Sequence, residues 1–235
     1  MLDLIGAIAG LAAVAINLVA IASVLPLSLA QRIALAAGVG AWVGLSTGLA
    51  AAGQFSSLTG PPVPLVGVLF AAPLIAFAAA WAGSAGLRRM LLAIPMPLLI
   101  GLNSIRMLGA LFLILAAVGR LSGPFPVSAG WGDVITGALA LPVALIAARG
   151  SLRLGGLIGL WNLFGIADLV AAMTLGVISA NGSPLQLIFA GAGSEAMQHL
   201  PFALVPTVLV PFFLMTHAVI AAQLAARRRP ALAPA

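Results

Sequence analysis

Arg106 lies near the middle of LLIGLNSIRMLGALFLILAAVGR, the stretch Leu98–Arg120, with Asn103 one helical turn before it. That stretch has the length and apolarity of a membrane-crossing helix, and a charge at such depth costs at least ~2.5–3.5 kcal/mol to insert. Arginine cannot shed its proton to escape the cost, so a carboxylate, carbonyls, water or an anionic ligand must meet it. The chain has only four acids to offer: Asp3, Asp133, Asp168 and Glu195. Asp168 sits inside a second apolar run and is the expected partner. Asp133 is expected as the N-cap or first-turn acid of its helix, where the dipole favours a carboxylate. Asp133 and Glu195 are both expected near the membrane surface that is poor in arginine, and Asp3 lies at the chain start.

Counting inward at ~1.5 Å per residue from the arginine-rich end of each span places Asn17, Asn103, Arg106, Asn162 and His217 at ~9–15 Å, with Asp168 ~6 Å deeper. These residues come from four different spans, so the expectation is a polar layer in the cytoplasmic half of the bundle. Two roles are open for it. As a structural lock, Arg106 pairs with Asp168 and the amides satisfy one another or the backbone. As a binding site, the layer lines a pocket open to the cytoplasmic half, where Arg106 receives the anionic group of a small solute or lipid headgroup.

Other chemistries are closed off by residue type. Without cysteine there is no disulfide, thiolate nucleophile or thiolate metal site. Without lysine there is no Schiff base of the kind that holds retinal. On one helix His199 and His217 would be ~27 Å apart and could not share a haem iron. No HExxH, Walker A or GxSxG motif is present. Ser104 is the one hydroxyl worth naming for hydrolysis inside the membrane, and serine in such helices is ordinarily a packing residue. No catalytic residue, metal or cofactor is therefore expected, and no nucleic-acid partner.

The elements that must position these residues follow from composition. With 63% hydrophobic and 6% charged residues, the chain is far from the soluble range of about 25% charged. Its apolar runs repeatedly reach the ~20 residues needed to cross hydrocarbon, and none alternates as a barrel strand would. The expected fold is all-α, a polytopic transmembrane bundle of seven spans: Leu2–Leu27, Arg32–Ala52, Val63–Gly83, Pro97–Val118, Asp133–Ala148, Gly155–Ala180 and Pro201–Leu224. The first is read as a retained helix, because it carries Asp3 and no basic residue and exceeds a signal peptide's ~7–15-residue apolar core. Met90–Ile94 is expected along the interface, Arg120–Gly132 as a loop. In the second span Gly40, Gly44 and Gly48 line one face, a small-residue ridge expected to pack against a neighbouring helix. Thr136, Gly137, Ala140 and Ala144 follow Asp133 on one side of their helix, which is expected to be buried.

Seven crossings put Arg32, Arg88, Arg89, Arg149, Arg153 and Arg227–Arg229 on one side and Arg120 alone on the other. By the positive-inside rule the N-terminus is out and the C-terminus in. Residues 1–226 form one transmembrane domain, and the basic, Pro/Ala-rich tail 227–235 is expected to be disordered.

Arg106-x-x-Gly109-x-x-Phe112-Leu113, Ala129-Gly130-Trp131-Gly132-Asp133, Trp161-Asn162 with Asp168, and His199-Leu200-Pro201 resemble an uncharacterised family of bacterial multi-pass membrane proteins. The resemblance covers roughly the second half of the chain and implies a bacterial inner-membrane location, with no activity attached. The expected function is binding or transport of a small solute or lipid. The alternatives are an accessory or assembly subunit acting through helix contacts with partner membrane proteins, and a membrane-embedded enzyme acting on lipid.

Overall fold

In the computed structural model, which describes residues 1–58, 60, 64–150 and 154–228, the chain is a helical bundle with no strand among those residues. Seven helices are long and apolar enough to cross a membrane. They are α1 (Leu2–Val24), α2 (Leu29–Ala51), α3 (Leu65–Gly83), a composite fourth span, α7 (Pro124–Ala148), α8 (Gly155–Ile178) and the seventh span. A short helix α4 (Ala85–Leu92) follows α3. The fourth span joins α5 (Met96–Leu102), a 3-10 segment (Asn103–Gly109) and α6 (Ala110–Ala117). The seventh joins a π turn (Val205–Leu209) to α9 (Val210–Arg228). Val63, Arg153 and the tail from Arg229 onward lie outside the described residues.

Local chemistry explains the boundaries. Ser28 caps α2 in a capping box with Gln31, so the helix begins at Leu29, three residues before the expected Arg32. Ser84 accepts from the Leu87 N–H and starts α4. The largest correction is α7. The segment 120–132 is not a loop as expected: Gly123 adopts φ 76° and Pro124 opens a helix of 25 residues. Proline suits a first helical turn, where its missing N–H would have no partner in any case. Asp133 consequently sits more than two turns inside the span, not at its cap. The residues 124–132 give the span the length that Asp133–Ala148 alone lacks for a crossing.

Two irregular stretches have identifiable causes. In span four the Asn103 side-chain Nδ2 donates to the Leu99 carbonyl at 2.9 Å, the acceptor that its own backbone N–H would use in an α-helix. The 3-10 segment begins at this residue. In span seven Pro211 cannot donate to the Thr207 carbonyl, and that oxygen instead accepts the Trp42 indole N–H at 2.9 Å.

α7 is the centre of one group, packed along span four and against α8, while the seventh span links that group to α1, α2 and α3. Side chains such as Leu160 and Leu163, 65% and 63% exposed, face outward over the apolar girdle, as lipid contact requires. The half of the bundle at the arginine-rich ends is filled by Ile94, Leu99, Ile100, Val143, Trp161 and Ile220. At the opposite end the 52–58 segment is tied to the 179–198 segment through Ser57 and Gln198, and Arg120 meets Asp3 at the surface.

Candidate functional site

Arg106 comes from the 3-10 segment, Asp133 from the third turn of α7, Asp168 from α8 and His217 from α9. The guanidinium gathers all three. Its Nε donates to Asp133 Oδ1 at 2.7 Å, Nη2 donates to Asp168 Oδ2, and Nη1 donates to the Gly165 carbonyl at 3.3 Å. Nη1 also lies 3.1 Å from His217 Nε2. Arginine can only donate, so that ring nitrogen accepts and the imidazole proton sits on Nδ1. Nδ1 in turn faces Asn162 Oδ1 at 2.8 Å, and the Asn162 amide N–H donates back to the His217 carbonyl at 3.2 Å. Donor and acceptor roles are thus fixed from Arg106 through His217 to Asn162. The rings of Trp161 and His217 lie 5.3 Å apart at 44°, and Trp161 donates to the Thr136 carbonyl at 3.1 Å.

Such a cluster requires four spans to approach closely, and glycine makes that possible. A Cβ on Gly132 would fall on the Asp168 carboxylate, and one on Gly109 would fall on Asp133. A Cβ on Gly165 would lie 2.5 Å from His217 Cε1, and one on Gly137 2.6 Å from the Met107 amide nitrogen. With the side chain absent at each position, backbone can approach the ion pairs closely.

Of the residues expected at the site, Arg106, Asp168, Asn162 and His217 are brought together. The expected Arg106–Asp168 pair forms, with Nη2 donating to Asp168 Oδ2. Asn103 is buried nearby but bonds Leu99 and not Arg106. Asn17 is 3% exposed and both of its amide atoms lack a partner among the described residues, so it does not join the cluster. Asp133 is the member that sequence reasoning misplaced. Its signal was the stripe Thr136, Gly137, Ala140 and Ala144 on the same side, of which the first three are buried and Ala144 is half-buried. The Gly40/Gly44/Gly48 ridge also needs correction. A Cβ at any of the three would meet nothing within 4 Å, so among the described residues no helix packs on this face of α2.

Beside the cluster lies a cavity of about 370 Å³. Its rim is the exposed Gln54, Gly182 and Pro184, its walls include Phe112, Phe125, Leu169 and Met173, and its inner end reaches Asp133. A smaller void of about 60 Å³ touches Arg106 and Asp133 from the α1 side. The larger cavity therefore opens at the arginine-poor end. The expectation of a pocket open to the arginine-rich half differs from this: among the described residues that half is packed with large apolar side chains. Arg106 does not line the larger cavity, and its side chain is 1% exposed, against 14% for Asp133 and 5% for Asp168. Among the described residues no group of three or more His, Cys, Asp or Glu side chains could hold a metal ion.

No curated protein and no solved structure shows detectable similarity to the chain. One family pattern does match, over residues 63–225, a region that contains span four, α7, α8 and most of α9 and with them every member of the Arg106 cluster. That is more than half of the chain, which therefore belongs to the family described as a domain of unknown function, DUF8737.

Proposed function

We propose that this protein binds a small molecule in the cavity between α3, α7, α8 and the seventh span, and passes it across the membrane by way of the Arg106 cluster. The observation that carries this is the cavity itself: about 370 Å³, within the ~300–1,000 Å³ range of ligand sites, with a rim at one end and a buried carboxylate at the other. Support comes also from the asymmetry of the bundle. One half is hollow and the other closed by an apolar plug, the arrangement of a carrier seen with access from one side. With the arginine-rich ends in the cytoplasm of a bacterial inner membrane, N-terminus out and C-terminus in, the hollow half faces outward. Arg106 has two carboxylates, a carbonyl and a histidine nitrogen around it, so an anionic solute or headgroup gains little there.

Because the chain has no cysteine, access can be tested with single introduced thiols. In whole cells Ala172→Cys, on the cavity wall, should react with a membrane-impermeant maleimide added outside, and Ala147→Cys, buried in the arginine-rich half, should not. Labelling of neither, or of residue 172 only in inside-out vesicles, would overturn the proposed access.

A second role is favoured by one observation. The Gly40/Gly44/Gly48 ridge is turned out of the bundle with nothing against it among the described residues, which suits an accessory subunit that docks on a partner membrane protein through α2.

A further inference from the structure

The charge count of the cluster points to the kind of ligand. Arg106 supplies one positive charge; Asp133 and Asp168 can supply two negative ones. His217 contributes none, since its Nε2 accepts from Arg106. The groups facing Asp133 are Arg106 from span four, Asp168 from α8 and His217 beyond them on α9; α1 and α3 bring no ionisable side chain to this depth among the described residues. The neutral Gln54, Ser57 and Gln198 lie at the cavity's outer end. A buried group of two carboxylates and one guanidinium carries one unbalanced negative charge, which in a low-dielectric setting must be neutralised by a bound proton or a bound cation.

Geometry selects the carboxylate that takes it. Asp133 lines the cavity, whereas Asp168 is enclosed behind it by Gly132 and Arg106. Asp133 Oδ1 is occupied by Arg106 Nε, while Oδ2 receives no hydrogen bond among the described residues. The walls around it are aromatic, aliphatic and thioether surfaces. A bare metal cation wants about six oxygen ligands, which this lining does not supply. An organic ammonium needs one carboxylate oxygen and an apolar enclosure for its body, and this lining supplies both.

We infer that the cavity takes an amphiphilic amine in its ammonium form, seated on Asp133 Oδ2, and that this ammonium and a proton occupy the site alternately. The inference rests on the proposed binding role and specifies its ligand. The exchange balances: the Asp133 carboxylic acid gives up its proton to water in the cavity, the resulting carboxylate accepts N–H from the ammonium, and net charge in the cluster is zero both with the proton bound and with the ammonium bound. No covalent bond to carbon forms or breaks.

The test uses the full chain purified in detergent and three probes of one shape: 4-phenylbutylammonium, 4-phenylbutanol and 4-phenylbutyrate. Calorimetric titration in buffers of different ionisation enthalpy reads both affinity and protons released. The ammonium should bind about 10- to 100-fold tighter than the alcohol, the difference expected of one charged hydrogen bond, and should release close to one proton per site in acidic buffer. The carboxylate should bind weakest. Asp133→Asn leaves Arg106 balanced by Asp168 alone, so it should fold; it should bring ammonium affinity down to that of the alcohol, abolish proton release and leave alcohol binding unchanged. Retained alcohol binding shows that the variant is intact. Equal binding of all three probes, ammonium binding without proton release at any pH, or an Asp133→Asn variant that still prefers the ammonium would each overturn the inference and leave the cavity's binding role standing. Failure of all three probes overturns it as well, and the thiol labelling at residue 172 then decides on the cavity separately.

Discussion

α2 and α7 are both glycine-rich spans, and they use their glycines in opposite ways. In α2 the ridge Gly40, Gly44, Gly48 is regular and faces empty space, and the helix buries only Ser46 and Ala50. In α7 the glycines at 130, 132 and 137 follow no strict four-residue repeat, yet each is pressed against a neighbour: Leu113, Asp168 and Met107 respectively. That helix buries ten residues. Regular spacing thus identifies a face without saying whether anything covers it. What distinguishes α7 is that an acid, Asp133, lies on the glycine-bearing side, so close approach there serves ion pairing and not merely helix contact.

The largest effect that could break this contrast belongs to Arg106. Arg106→Ala removes the one guanidinium that Asp133 and Asp168 share and should cost about 3–5 kcal/mol, read as a fall in thermal unfolding temperature in one detergent. Adding Asp133→Asn and Asp168→Asn to the same chain should recover most of that loss. Strictly additive losses would mean that the three side chains do not act as one unit.

Next in size is Gly132→Ala. Its new methyl would overlap the Asp168 carboxylate, which Arg106 holds in place, and overpacking of this kind costs about 1–3 kcal/mol. Unchanged melting would show that α7 and α8 can part without penalty, and the close-approach account would fail.

The smallest effect is expected in α2. Gly44→Leu has open space around it and should leave the stability of the isolated chain within about 0.5 kcal/mol. A clear destabilisation in detergent would mean that the ridge is covered after all, and would erase the contrast with α7.

Much of the bundle could be read from residue order alone, for a physical reason. Hydrocarbon thickness sets the length of every span, so seven apolar runs give seven crossings. The Arg106–Asp168 pair was legible on the same ground, since an arginine inside the membrane must find an anion and few are available. Asp133 was not. The preceding segment Gly123–Gly132 contains three glycines and two prolines, a composition that ordinarily marks a loop. In α7 those residues serve a different end, with Pro124 opening the helix and Gly130 and Gly132 accommodating Leu113 and Asp168. The cavity could not be foreseen either, because it depends on how the 52–58 and 179–198 segments sit over the helix ends, and no periodicity encodes that.

The 3-10 segment that presents Arg106 also matters for hydrophobic matching. Span four has 22 residues, against 25 in α7 and 24 in α8. As a uniform α-helix it would reach only about 33 Å, while its two neighbours reach about 36–38 Å. Seven of its residues rise instead by about 2 Å each, which lengthens it to about 36 Å. The tightened turn that aims the guanidinium thereby lets the shortest of the three core spans reach both membrane faces alongside the other two, so neither end needs to be drawn into the hydrocarbon.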